Sequence, residues 1–207
     1  KLPLAWYLTL KLLREHIMQS VVGVYNLALA RLGGNQLTTI NSPDEDSGVV
    51  SLCNRLFPAV VESCLKSYDW SFAITQAALA LLGEDQTTGL TRYAQPTDCI
   101  KIIKINGERE DHFRPLCILQ GKHILTDVGG AILTYVKRVN NPDDWSPAFY
   151  NTVTWGLAAE LGIALNNDRG QQQTCGEQYL VNLHDAIACD LNQQAPMRYP
   201  CPWLEAR

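Results

Sequence analysis

The chain has 207 residues, of which 46% are hydrophobic and 18% charged, so it can bury a core and is too apolar for intrinsic disorder. Asp and Glu (21) exceed Lys and Arg (17), and the net charge of −4 argues against a protein that binds nucleic acid through a basic surface. The seven cysteines form no C-x-x-C pair and lie mostly among apolar residues, which indicates reduced core thiols and assembly in a cytosol.

Residues 1–19 are expected to lie outside the fold, as a leader or a vector-derived segment. Their apolar run, Leu2–Leu10, is shorter than the ~18 to 20 residues that span a membrane, and no A-x-A-like cleavage site follows it. We therefore expect no membrane segment here. Because Met18 lies two residues before Ser20, the expected cap of a well-patterned helix, we expect the natural start to be close to Met18.

Residues 20–90 are predicted to form the first half of a helical bundle. Ser20 is suited to cap a first helix, which ends at the glycine pair that begins with Gly33. A second helix is predicted to begin within Asn41–Asp46, where a proline and three acids suit the positive end of a helix dipole. Pro58 predicts a kink or a break in that helix. An aromatic group follows it: Tyr68, Trp70 and Phe72.

Residues 91–139 are predicted to form a small antiparallel β insertion. Isoleucine and lysine alternate in Ile100–Ile105, and the Asn106-Gly107 pair is a strong hairpin signal. Further turns are predicted at Gln120-Gly121 and Gly129-Gly130. At ~50 residues this insertion is too short to fold independently with any certainty, so we expect it to depend on the helices.

Residues 140–195 are predicted to form the second half of the bundle. Ser146 and the proline after it indicate the start of a helix, in which apolar residues recur every four positions from Phe149 to Leu165. A final helix is predicted after residue 170. The small residues that let another helix approach closely are Gly156, Ala159 and Gly162.

The order of these elements predicts an α+β protein that is mainly α: an antiparallel helical bundle with an inserted small antiparallel β domain. Residues 196–207 are predicted to form an extended C-terminal tail, because they contain three prolines. Trp203 gives this tail a large apolar anchor, which suits docking on a neighbour.

No specific catalytic or metal-binding motif occurs in the sequence, so no catalytic residue, metal or cofactor is predicted. The acidic cluster Glu108–Asp111 is the nearest candidate, because glycoside hydrolysis requires paired carboxylates. Arg109 lies among these acids and Arg114 follows them, however, and a charged strand edge ordinarily prevents aggregation. We therefore prefer a structural role for the cluster.

Five segments in chain order carry a resemblance. They are NLALARLGG, INSPDEDSGVVSLCNRLFPAV, LKSYDWSFA, TRYAQPTDCIKIIKI and LTYVKRVNNPDDWSPAFYNTVTWGLAAELGIAL. As an ordered set they resemble the tail tubular protein A family of short-tailed bacteriophages, the head-to-tail adaptors. Residues 1–19 and Pro58 depart from the family pattern.

The resemblance implies a non-enzymatic component of the virion tail that is assembled in the host cytoplasm. It implies a ring of about twelve identical subunits between the portal protein and the tail nozzle protein, with DNA passing through the lumen without specific binding. The residues expected to contact another subunit or the portal are Gly156, Ala159, Gly162, Trp203 and Arg207.

Residues 140–207 contain eight acids, three arginines and no lysine. Because an acidic wall repels DNA phosphates, this part of the chain is the candidate lining of the DNA channel. The residues assigned to that lining are Glu160, Glu177, Asp185 and Asp190. Two alternatives stay open: a tail-associated carbohydrate hydrolase that uses paired carboxylates, and a cytosolic helical scaffold unrelated to phage.

Overall fold

The fold is mixed α+β, and the residues that the structure describes are about 50% helical and 24% strand. The computed structural model describes residues 20–33, 39–44, 46–108, 117–166 and 169–193. The helices in this part are α1 (Val21–Arg31), α2 (Gly48–Ser67), α3 (Pro147–Asn166) and α4 (Arg169–Gln193), with a 3-10 turn at Pro142–Asp144. The strands are β1 (Ile74–Ala78), β2 (Leu81–Glu84), β3 (Thr91–Ala94), β4 (Cys99–Glu108), β5 (Ile118–Gln120), β6 (His123–Thr126) and β7 (Gly129–Lys137). The predictions for residues 1–19 and 196–207 lie outside the described residues.

The strands form two antiparallel sheets, one of three strands in the order β1-β7-β4 and one of four in the order β2-β3-β6-β5. Side chains alternate along β7, so Val136 joins the core of the helices, whereas Leu133 and Tyr135 enter a second core. Tyr93 and Ile124 of the four-stranded sheet complete that second core. The three-stranded sheet is therefore a middle layer between the helices and the other sheet.

Helix α3 is the central helix, because it contacts α1, α2 and α4. Its start is confirmed at Ser146, whose Oγ accepts a hydrogen bond from the backbone N–H of Phe149 at 3.2 Å. Phe149, Val153, Leu157 and Leu161 are all fully buried. The predicted stripe with a four-residue spacing is thus confirmed along most of the helix.

The turn after α2 joins the helices to the three-stranded sheet through Trp70, which is fully buried. Its indole Nε1 donates to the carbonyl of Cys64 at 2.8 Å, and its own carbonyl accepts from the N–H groups of Ala73 and Ile74. Its ring packs edge to face against Phe149, with 5.0 Å between the ring centroids. Through its side chain and its backbone carbonyl, this single residue therefore contacts the end of α2, the start of β1 and α3.

Strand structure begins at Ile74 rather than at residue 91, so β1 and β2 lie within the range predicted as helical. The alanine- and leucine-rich run in this region has good helix propensity. All five residues of β1 nevertheless pair with the largely buried β7. Pairing with β7 and packing against it outweigh the local helix propensity, so these strands cannot be predicted from a short window of sequence.

The predicted hairpin at Asn106-Gly107 is wrong. Both residues lie within β4, where Asn106 pairs with Ile132 and Glu108 pairs with Gly129. The register shifts between these two pairs, because two steps along β4 are matched by three along β7. The irregularity is therefore a bulge with its extra residue on β7, and Asn106-Gly107 forms no turn. The turn prediction at Gln120-Gly121 is supported by the positive φ of 62° at Gly121.

Helix α2 begins at Gly48, later than predicted, and no acid lies in its first turn. The helix continues through Pro58 without a break, although a proline inside a helix removes one backbone hydrogen bond. The buried side chains of Phe57, Val60 and Val61 surround this point and stabilise the helix across it. For α1 both predicted ends are confirmed, because Ser20 Oγ accepts from the N–H of Gly23 and Gly33 has a φ of 64°.

Asp190 fixes the far end of α4 to the turn that contains Trp70. Its side chain is buried, and its carboxylate accepts hydrogen bonds from the N–H and the Oγ of Ser71, at 3.2 and 2.6 Å. Because a buried donor that loses its acceptor is costly, this contact ties the last described helix to the start of the sheet.

We predict that Asp190→Ala lowers the free energy of unfolding by roughly 1.5 to 3 kcal/mol, the range for hydrogen bonds to a charged group. Asp185→Ala is the matched control, because Asp185 is exposed on the same helix and should change stability by less than about 0.5 kcal/mol. Urea denaturation measures both variants. Equal losses in the two would contradict the role of Asp190.

Candidate interaction site

The small residues of α3 contact other helices of the same chain. A Cβ atom added at Gly156 would lie 3.0 Å from Cγ1 of Val60 and 3.2 Å from Cδ2 of Tyr179. One added at Gly162 would lie 3.4 Å from Cδ2 of Leu32. Close helix approach is therefore present, but inside the subunit. Both glycines are buried there. Gly162 is thereby removed from the surface that another subunit or a portal could contact, whereas Gly156 still lines an open groove.

The third small residue, Ala159, lines an open groove of about 280 Å³ between α2 and α3, which we call the helical groove. Its apolar lining is Leu56, Ala59, Val60, Gly156, Ala159 and Tyr179, and its polar lining is Ser63 and Glu160. The hydroxyl of Tyr179 lies 3.7 Å from the sulfur of Cys64, and burial raises the pKa of Tyr179 well above its usual range. The groove is therefore an apolar surface with one carboxylate beside it.

Three of the four carboxylates assigned to a DNA channel are exposed, and the fourth is not. Glu160 lies beside the helical groove, while Glu177 and Asp185 lie on the outer side of α4. Asp190 is buried and bonded to Ser71, so it does not belong to a solvent-facing wall. The reason is helix rotation, because five positions along a helix turn a side chain by about 140°.

A second surface, which the sequence analysis did not single out, is the α4 stripe, formed by Leu180, Val181, His184, Ala188 and Leu191. Its three large apolar side chains, Leu180, Val181 and Leu191, are each more than half exposed. Their positions follow helical spacing, out of phase with the inward-facing series Cys175, Tyr179, Leu183 and Ile187. Two apolar series on one helix are the signal that could have revealed this stripe.

The four-stranded sheet adds further exposed apolar residues at both of its edges. Leu81 and Leu82 lie on β2, and Ile118 and Leu119 lie on β5. Each of these strands pairs with one neighbour. The register of β2 shifts between Leu81 and Gly83, and such irregular edges hinder pairing with another strand. We therefore expect another protein to contact these edges through their apolar side chains and not through backbone hydrogen bonds to an added strand.

The described residues contain no group of three or more His, Cys, Asp or Glu side chains that could hold a metal ion. Glu110 and Asp111 of the acidic cluster lie outside the described residues, and the side chain of Glu108 is not described either. The hydrolase alternative therefore stays untested.

Buried cysteines do not supply a nucleophile. Burial raises the pKa of the Cys53 and Cys64 thiols to about 11, so both stay protonated at neutral pH, and the thiolate is the reactive form. The six cysteines in the described ranges form no disulfides. Cys53, Cys64 and Cys175 are buried, as expected for core thiols, whereas Cys117 and Cys189 are exposed.

Helix α2 is the one helix in the described ranges that is long and apolar enough to cross a membrane by length and composition alone. This is weak evidence for a span, because the core helix of a soluble protein passes the same test. Seven of its residues are buried against the other elements of the fold.

No protein-family model matches this chain, and no curated protein is significantly similar to it. The resemblance to the tail tubular protein A family therefore rests on the five sequence segments alone.

We predict that Gly156→Leu and Gly162→Leu each lower the free energy of unfolding by about 1 to 3 kcal/mol, because they overpack contacts between helices of the same subunit. Gly176→Leu is the matched control, since no atom lies within 4 Å of a Cβ at that position of α4. It should stabilise the protein by up to about 1 kcal/mol, because leucine is the better helix former. Thermal and urea unfolding of the isolated subunit measure all three; a loss seen only in an assembly would contradict the intramolecular role.

Proposed function

We propose that this protein is a structural head-to-tail adaptor of a short-tailed bacteriophage. About twelve copies form a ring between the portal protein and the tail nozzle protein, and DNA passes through the ring without specific binding. The protein acts in the virion tail without catalysis or a cofactor, after assembly in the host cytoplasm. Its helices form an antiparallel bundle into which the β domain is inserted.

The observation that carries this proposal is the ordered set of five segments, together with the contacts between residues from different segments. Trp70 and Phe72 both pack against Phe149, with 5.0 Å between ring centroids in each pair. Tyr135 donates a hydrogen bond to the carboxylate of Asp98 at 3.0 Å. Segments that depend on each other in the folded chain are better treated as one pattern than as separate chance similarities.

The positions of the helices support the proposed bundle. Helices α1 and α2 precede the strands and α3 and α4 follow them, yet α3 contacts all three others. The two helical halves are thus in direct contact although the strands separate them in sequence, which is the arrangement expected for an inserted β domain.

Ring formation by identical subunits needs two different faces that fit each other. The α4 stripe and the edges of the four-stranded sheet are two separate exposed apolar surfaces, and surfaces of this kind often mark protein contacts. Ala159 in the helical groove is a further proposed contact. Trp203 and Arg207 also remain proposed contacts, and they lie outside the described residues.

We predict that native mass spectrometry of the protein mixed with the portal protein from the same genome shows about twelve added subunits per portal, in line with a closed ring. Leu180→Asp should weaken this assembly at least about tenfold, which corresponds to ~1.4 kcal/mol, because it places a charge on an apolar contact surface. The subunit should stay folded, because the Leu180 side chain is 53% exposed. Gln178→Asp, at an exposed polar position of α4, is the control. No added mass on the portal, or release of sugars from capsular polysaccharide, would contradict the adaptor role.

A second prediction concerns the DNA channel. Replacing Glu177 and Asp185 by lysine should slow DNA ejection, because a basic wall attracts phosphates within about a Debye length. Both residues lie one helical turn from Val181 of the α4 stripe, so ejection is compared only in particles whose subunit number native mass spectrometry shows to be unchanged. Glu177→Gln with Asp185→Asn is the control that removes charge without reversing it, and its effect should be smaller. Ejection is followed by dye fluorescence from released DNA, and unchanged kinetics in the lysine variant would exclude a repulsive lumen formed by these residues.

A further inference from the structure

The helical groove leaves apolar side chains open to solvent in the described structure. Ala59 is exposed, and Leu56 and Ala159 are half-buried. At about 280 Å³ the groove falls just below the ~300 to 1,000 Å³ of typical small-molecule sites. Its polar lining is limited to Ser63 and Glu160. These features suit one aromatic side chain with a cation close by, rather than a cofactor.

We propose that the helical groove is the docking site for the segment that follows α4 in the same chain, with Trp203 as the side chain that enters it. In the free subunit this segment covers the groove, and the contacts of Ala159, Trp203 and Arg207 with another subunit or the portal form only after the segment has left it. The proposal does not depend on the adaptor function, since it concerns a contact within one chain.

The length of chain between α4 and Trp203 allows this contact. Tyr179 lies fourteen residues before the end of α4 at Gln193, which is about 21 Å at 1.5 Å per residue. Trp203 follows Gln193 by ten residues, which span about 31 Å in a polyproline-type extended path. The segment can therefore run back along α4 and reach the groove beside Tyr179 with about 10 Å to spare.

The composition of the segment fits such a path. Three prolines, at positions 196, 200 and 202, favour an extended backbone that needs no hydrogen-bonded partner strand. Tryptophan and arginine are the residues most enriched at the centres of contact surfaces. The segment supplies both, as Trp203 with Arg198 before it and Arg207 after it.

Charge complementarity favours the same site. Glu160 is exposed beside the groove, and none of the ion pairs among the described residues involves it. Arg207 follows Trp203 by four residues, a reach of up to about 13 Å. The segment also has one acid, Glu205, between these two residues, and its two arginines leave it with a net charge of +1. With Trp203 in the groove, Arg207 can therefore approach Glu160, the next residue after Ala159 in the groove lining. An ion pair between Glu160 and Arg207 would fix which way the chain runs along the groove from Trp203 onward.

Disulfide trapping tests the proposal, because Cys201 lies two residues before Trp203. Ala59→Cys places a thiol in the groove without removing a hydrogen bond, in a background with Cys117→Ser and Cys189→Ser, which removes the two exposed thiols among the described residues. Ser51→Cys is the matched control, exposed on the same helix but outside the groove lining. With oxidised glutathione as oxidant, we expect the Ala59→Cys variant to form an intramolecular disulfide with Cys201 at least about tenfold faster than the control.

Two further variants make the expected result specific. Adding Trp203→Ala should slow the trapping severalfold, because the anchor is gone, and adding Glu160→Lys should slow it through charge reversal. Peptide mass mapping identifies the bond, and the mass of the product shows whether one chain or two are joined. Trapping no faster than the control, or a disulfide between two chains, would overturn the proposal. Portal binding is measured in a separate experiment, so a failure of disulfide trapping would overturn the docking proposal without contradicting the adaptor function.

Discussion

The buried indole of Trp70 is the contact on which both halves of the chain depend. It hydrogen-bonds to the end of α2 at Cys64, and its ring packs against Phe149 of α3. The adjacent Ser71 is held by Asp190 of α4. This turn therefore joins the helices to the sheet, and because removing a buried tryptophan side chain typically costs about 3 to 5 kcal/mol, it contributes a large share of the stability of that junction.

Signals confined to a few neighbouring residues were predictable from the sequence. The hydroxyl caps at Ser20 and Ser146 and the stripe that begins at Phe149 depend on local spacing, and all three are confirmed. Asn106-Gly107 shows the limit, because the pair has the chemistry of a hairpin turn and lies instead inside a ten-residue strand. Its partner strand, β7, is too distant in sequence for a turn motif to reveal it.

The candidate site shows the same limit in a different form. Glycines 156 and 162 correctly indicate that helices approach closely, but the sequence does not say whether the approaching helix belongs to the same chain. The approaching side chains are Tyr179 at Gly156 and Leu32 at Gly162, and both belong to the same subunit. Asp190 was likewise grouped with exposed acids by charge alone, whereas its side chain lies on the buried side of α4. Charge and size are thus visible in the sequence, and orientation is not.

Once the intramolecular contacts are satisfied, apolar surface remains at the helical groove, the α4 stripe and the edges of the four-stranded sheet. These surfaces lie on different elements, so one partner of modest size does not cover them all. An assembly with two unlike faces per subunit can use two of them at once. A segment of the same chain suits the third, because a contact within one chain does not depend on protein concentration and limits exposed apolar surface before partners arrive.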